Sequence, residues 1–344
     1  MIKNSDSSIY SVNLKNILNI VGFYYYAVFG SLGFVLNIVG IIGFSRKSFT
    51  DLSRNAICQQ GFFNIVIAVV NNLCIALICL SSMPYFFGQN PFLWSPLSCI
   101  LLNYLEIVSR DMSSWLDLVL AADRMICITF PTRFKCLKLK KVLLPIILTI
   151  LLFIMGVHFE SALYTLASVE QTNTSVALLA CVQNADVVIL SNVVLILMRV
   201  AVPFIGTIGS NAVLIYNLKK VKDGRYKKKE AQFAKSVIAL NVLFLVSQLP
   251  YLILYIVKAV LSYGDGLDVD SLLAARVNFA YVLSQVITSY NYIFPTVVNF
   301  FFNKMFHEEL LTLFGFQIAN KSSNGDETSK SNIGTKKSQQ FSRI

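Results

Sequence analysis

Charge is scarce in this sequence. Asp, Glu, Lys and Arg make up 14% of the 344 residues, against about 25% in an ordinary soluble domain, which excludes a large water-facing polar surface. Histidine is scarcer still, with His158 and His307 the only two. No His-Glu-x-x-His and no Gly-x-Ser-x-Gly occurs, so a zinc-hydrolase helix and a nucleophile elbow are both excluded and no enzyme is expected. The seven cysteines are too few for a disulfide scaffold and fit no zinc spacing. None lies in the C-terminal tail, so no palmitoylation anchor follows the last apolar run. No cofactor is expected. Nor is a cleavable leader, because the first apolar run is longer than the roughly 7–15 residues of a signal core.

Apolar residues are what the chain has: 56% of the total and a mean hydropathy of +0.65. A membrane-spanning helix takes roughly 20 such residues at about 1.5 Å each. The first charge-free run reaches from Asn16 to Ser45 and is closed by Arg46, Lys47 and Arg54. The next, Asn55 to Leu105, is too long for one helix, and Pro84, Gly88, Pro91 and Pro96 divide it. Continuing in this way, the sequence predicts spans near 16–45, 56–82, 98–126, 142–163, 187–216, 235–258 and 275–302. The expected fold is an all-α membrane protein, a seven-transmembrane helix bundle.

The net charge of +11 is topological. Basic clusters follow spans one, three, five and seven, while Glu160, Glu170, Asp186, Asp265, Asp268 and Asp270 occupy the other loops. Positive loops stay cytoplasmic, so the N-terminus is expected outside and the C-terminus inside. Binding to nucleic acid would need this charge on a folded polar surface, and the expected partner is instead the lipid bilayer of the plasma membrane. The Asn173-Thr174-Ser175 sequon falls on the outer side, where Asn173 would be glycosylated. The expected organisation is a short extracellular N-terminus at 1–19, the seven-helix domain at 20–302, an amphipathic membrane-surface helix at 303–316 with Met305, Phe306, Leu310, Leu311 and Phe314 on its apolar face, and a disordered cytoplasmic tail at 317–344.

Span three carries a polar stripe at helical spacing: Glu106, Arg110, Ser113, Asp117 and Arg124. Ionisable groups cost about 2.5–3.5 kcal/mol each at the centre of a membrane helix, so this face is expected to line the bundle interior. Glu106 and Arg110 are four apart and able to pair. They either neutralise one another or read a ligand. Glu106 lies seven residues below Cys99, about 10 Å in. Asp111 lies off the stripe, positioned to pair with a neighbouring helix. Arg199 in span five adds a cation to the same interior, where it either neutralises Glu106 or meets an anion.

Asp123-Arg124-Met125, with Cys99 25 residues before the arginine and Pro131 seven after it, resembles the third span of the rhodopsin-like G-protein-coupled receptors. Asn37 in Gly33-Phe-Val-Leu-Asn37, Pro203, Phe244 and Pro250 match further positions of that family. The resemblance implies a disulfide between Cys99 and Cys181. It also implies a cytoplasmic latch of Arg124 with Asp123 and Glu230, the last of which reads otherwise as a solvated charge in a Lys-rich run. Departures are equally specific. No aspartate stands in span two, where Asn64 or Ile65 falls near its place. Span six has Gln248 in place of a tryptophan, span five has Asn211 in place of a tyrosine, and span seven reads Phe294-Pro295-Thr296-Val297-Val298. The segment Ser113-Ser114-Trp115-Leu116 leading to Asp123-Arg124 is similar to the nematode serpentine receptors of class W, relatives of FMRFamide-type peptide receptors.

What the resemblance implies is a receptor that transmits binding of an extracellular ligand to a heterotrimeric G protein, with arrestin and kinases as partners of the tail. The ligand-binding set is expected among Glu106, Arg110, Asp111, Arg199 and Gln248, and the switch among Asp123, Arg124, Glu230, Pro250 and Pro295. Acidic outer loops and Glu106 favour a cationic ligand end, which an amidated neuropeptide fits; the alternative is a chemosensory receptor for small environmental molecules. A transporter or channel would show internal repeats, and none is found.

Overall fold

The computed structural model describes residues 17, 20, 22, 24–46, 60–82, 91–130, 140–159, 165–170, 177–182, 185–220, 225–263 and 272–316. A π-helical turn, Tyr26–Gly30, leads into α1, Ser31–Phe44. Then come α2, Gln60–Ser82; α3, Pro96–Thr129; and α4, Lys140–Val157. An antiparallel hairpin follows, β1 at Thr165–Glu170 and β2 at Ala177–Val182, with Leu166 opposite Cys181. The helix α5 is one rod in three pieces, Ala185–Leu195, the π-helical Ile196–Ala201, and Val202–Lys220. Next is α6, Arg225–Tyr263. The rod α7 is broken into Leu272–Thr288, Tyr290–Ile293 and Pro295–Phe302, and α8 is Lys304–Leu313.

Among the described residues, four stretches are long and apolar enough to cross a bilayer: Tyr26–Phe44, Gly61–Ser81, Leu190–Lys219 and Ala234–Lys258, with Leu143–Val157 shorter but apolar. The most interior helix, α3, is not among them, because Glu106, Arg110, Asp111, Asp117, Asp123 and Arg124 load it with charge. Its N-terminus is set by Ser95, whose side chain caps the Ser98 N–H while the Ser98 hydroxyl answers the Ser95 N–H, with Pro96 at the first helical position. Helices overrun the apolar runs at their ends. Thus α6 begins at Arg225, well before the expected 235, since a helix can continue into water where an apolar run cannot.

The bundle is polar inside and apolar outside. Asn37, Asn71, Asp111, Arg124, Arg199, Asn241 and Asn299 are buried, whereas Leu32, Val35, Leu152, Ile205, Val246 and Phe301 are exposed. Lipid tails leave little hydrophobic gain for helix association, so close backbone approach and interhelical hydrogen bonds hold the rods together. A Cβ on Gly40 would lie 2.5 Å from Thr296 Oγ1, and one on Gly43 would lie 2.6 Å from the Phe306 ring. These two positions let α1 press against α7 and α8.

The helix α8 falls within the segment 303–316 and is capped by Asn303, which accepts from the Phe306 N–H at 3.2 Å. Its apolar face is only partly for lipid. Phe306 stacks on Phe44 at 4.4 Å and, with Leu310, is buried against α1, while Phe314 is exposed. The hairpin was not anticipated; the segment reads as a polar loop, and its alternation over Thr165–Glu170 is weak. Asn173, Pro131, the aspartates at 265, 268 and 270, and the segments 1–16 and 317–344 lie outside the described residues.

Candidate functional site

A small cavity opens inside the bundle, lined by Tyr26 before α1, Ile78 of α2, Arg110 of α3, Arg199 of α5, Tyr251 of α6 and Gln285, Thr288, Ser289 and Tyr292 of α7. Arg110 lies eleven residues along α3 from Cys99, about 16 Å at the helical rise. Cys99 itself is bonded to Cys181 of β2, with their Cα atoms 5.8 Å apart, so the hairpin is tied to the start of α3 at this end of the bundle. Asn103, one turn on, donates to the Cys99 carbonyl at 2.7 Å.

Arg199 reaches the cavity because of a local defect in α5. Pro203 has no N–H for the carbonyl four residues back, which is that of Arg199. The chain responds with the π-helical turn Ile196–Ala201, in which the Val202 N–H bonds the Leu197 carbonyl. The Met198 carbonyl accepts from the Trp115 indole at 2.8 Å, fastening the turn to α3. Single π turns recur at functional sites because they re-aim one side chain. Here it is Arg199, 4% exposed, its guanidinium 5.2 Å from the Tyr251 ring centre. The Tyr292 hydroxyl faces Arg199 without a well-aligned hydrogen bond.

Of the expected ligand residues, Arg110 and Arg199 line the cavity and the others do not. Glu106 is bonded to Arg110 on its own helix. Asp111 is fully buried and turns toward α4, where its Oδ2 lies 2.5 Å from His158 Nε2. Gln248 is buried, its amide without a partner among the described residues, one turn from Tyr251. The Glu106 carboxylate is thus engaged by Arg110, and the two charges at the cavity wall are guanidiniums. Sequence reasoning missed the α7 wall, yet a signal was there. Gln285, Thr288, Ser289 and Tyr292 follow an i, i+3, i+4, i+7 pattern of polar groups in an uncharged run.

Below the cavity, α7 breaks where Phe294 leaves helical geometry and Pro295 supplies no donor. Pro295 deprives the Asn291 carbonyl of its helical partner, and Asn71 Nδ2 approaches that carbonyl at 3.5 Å. Asn37 Nδ2 donates to the Tyr292 carbonyl at 3.0 Å and to Asn72 Oδ1 at 3.0 Å. Ser113 donates to Asn71 Oδ1 at 2.7 Å. Ser113 thus faces Asn71 of α2. Asn64 instead accepts from Asn299 at 3.1 Å, closer to the far end. Pro250 sits inside α6 as expected, and nearby the Ser247 carbonyl accepts from Thr288 at 3.3 Å.

At the opposite end of α3, Arg124 is buried, 2% exposed, and bonded to Asp123 through Nε at 3.0 Å and through Nη2. Asn217 of α5 donates to Thr129 at 2.8 Å, and Asn241 of α6 donates to Asn211 of α5 at 2.8 Å. Glu230 falls on α6, but its side chain lies outside the described residues, so its pairing with Arg124 is not on view.

Among the described residues no group of His, Cys, Asp and Glu could hold a metal ion. A family description, "7 transmembrane receptor (rhodopsin family)", matches residues 53–295, well over half the chain. No curated protein matches.

Proposed function

The chain belongs to the rhodopsin family of seven-transmembrane receptors, and from that premise we propose that it passes the binding of an extracellular peptide in the cavity to a heterotrimeric G protein at the far end of α3. Members of the family are signal receptors rather than enzymes, and the chain is a multi-pass membrane protein of the plasma membrane. The observation that carries the reading is α3 itself. One rigid rod holds Arg110 in the cavity wall and the Asp123–Arg124 pair at its other end. A ligand that favours one arrangement of the bundle shifts the population of that arrangement throughout.

In this reading the hairpin and the disulfide face outside, Arg124 and α8 face inside, and the tail meets arrestin and kinases. The two kinked rods, α6 at Pro250 and α7 at Pro295, are the elements able to move against α3. A second reading is a chemoreceptor for small molecules, as the similarity of the Ser113–Leu116 segment to nematode class W receptors suggests, and the small cavity favours it. The size of the ligand separates the two.

The test is G-protein activation in transfected cells, using amidated and free-acid peptides alongside small metabolites, with Arg124→Ala as the control. We expect a ligand response that disappears in the variant while ligand binding persists. Coupling that survives in Arg124→Ala would remove Arg124 from the switch.

A further inference from the structure

We infer that the cavity accepts the anionic end of its ligand, a carboxylate attached to an aromatic or similarly sized apolar group. The inference deepens the receptor reading and rests on it. Two guanidiniums, from Arg110 and Arg199, reach the cavity wall. They stand close enough to repel one another, so an anion between them relieves a cost the empty site bears. The Nε atoms of both are buried and have no hydrogen-bond partner among the described residues. A buried guanidinium N–H without an acceptor is costly, and a carboxylate supplies acceptors in the matching geometry.

The acidic groups nearby do not cancel this. Glu106 is held by Arg110 on the same helix, and Asp111 is turned to His158 of α4 while still acting on Arg199 from a distance. Neither carboxylate lines the cavity. Elsewhere on the polar wall, Thr288 and Ser289 already donate to backbone carbonyls, while the Tyr292 hydroxyl has no partner among the described residues and can donate to an acceptor. The phenol rings of Tyr251 and Tyr292 offer flat apolar surface to the group that bears the anion. The space is far smaller than the roughly 300–1,000 Å³ of complete small-molecule sites, so it takes in the carboxylate end of a ligand, such as a peptide's free C-terminus.

The test uses the full chain, purified in lipid nanodiscs, and three probes of matched shape: 3-phenylpropionate, 3-phenylpropanamide and 3-phenylpropylamine. Binding is read as the shift in thermal unfolding midpoint against probe concentration. We expect the carboxylate to bind about tenfold or more tightly than the amide, and the amine to give no shift. Arg199→Gln should bring the carboxylate down to the level of the amide, while Arg199→Lys retains part of the preference. Glu106→Gln, which releases Arg110 from its partner, should tighten carboxylate binding several-fold. Equal binding of amide and carboxylate, preference for the amine, absence of any shift, or weaker carboxylate binding in Glu106→Gln would each overturn the inference. Basal nucleotide exchange by an added G protein, measured on the same nanodiscs with and without Arg124→Ala, judges the receptor reading separately. Exchange that ignores Arg124 beside an intact carboxylate preference counts against the coupling role alone.

Discussion

Asp111 and His158 show how one residue's role depends on what stands across from it. Asp111 is fully buried, and its one close partner among the described residues is the His158 ring on the neighbouring helical segment. Breaking a buried pair by removing one partner costs about 3–5 kcal/mol, because the other group is left desolvated and unanswered. His158→Ala should therefore lower the thermal midpoint of the purified receptor strongly. The double change Asp111→Leu with His158→Leu should cost much less, and a double variant as unstable as the single one would show that the pair is not the source of the loss. The sequence marked Asp111 as lying off the main stripe, and helical periodicity alone predicts that it leaves the interior face. It does not say which helix receives it, since the charges of α4, Lys140 and Lys141, lie at the end away from His158.

Among the elements, α1, α5 and α7 owe their shape to single residues. Gly40 allows α1 to sit against Thr296 with no room for a methyl group. Gly40→Val should force the two helices apart, costing about 1–3 kcal/mol as overpacking does. The check is a lower unfolding midpoint and a smaller folded yield, with Gly209→Val as a control, since a Cβ at Gly209 meets nothing within 4 Å. The kinks in α5 and α7 are legible as prolines, Pro203 and Pro295. What they expose is not. At α5 the missing donor is met by a π turn that carries Arg199 into the cavity wall, and at α7 it leaves the Asn291 carbonyl, which Asn71 approaches, while Asn37 donates to the next carbonyl, that of Tyr292.

At the level of the whole molecule, the disulfide between Cys99 and Cys181 joins the hairpin to α3 across a sequence separation of 82. Cutting a loop of this length loose typically costs about 2–5 kcal/mol. Cys99→Ser and Cys181→Ser should each lower the amount of receptor at the cell surface, measured by labelling intact cells, and the double variant should be no worse than either single one. Additive losses would mean that the cysteines act separately.

Hydropathy, the position of the prolines and the Cys99–Arg124 spacing determined that the chain is a membrane helix bundle of this family, because a bilayer permits few ways of hiding backbone polar groups and each leaves a long apolar run. The same residues determined that α3 is the polar core of the bundle. Tertiary structure alone decided which of its charges remain available. Glu106 and Arg110 are equally polar in the sequence, yet one is spent on the other and the second still reaches the cavity wall. Arg199, a single charge in an apolar run, joins it there from the π turn that precedes Pro203. Which charges face a ligand is a matter of pairing across helices, and pairing depends on distances that no one-dimensional pattern contains.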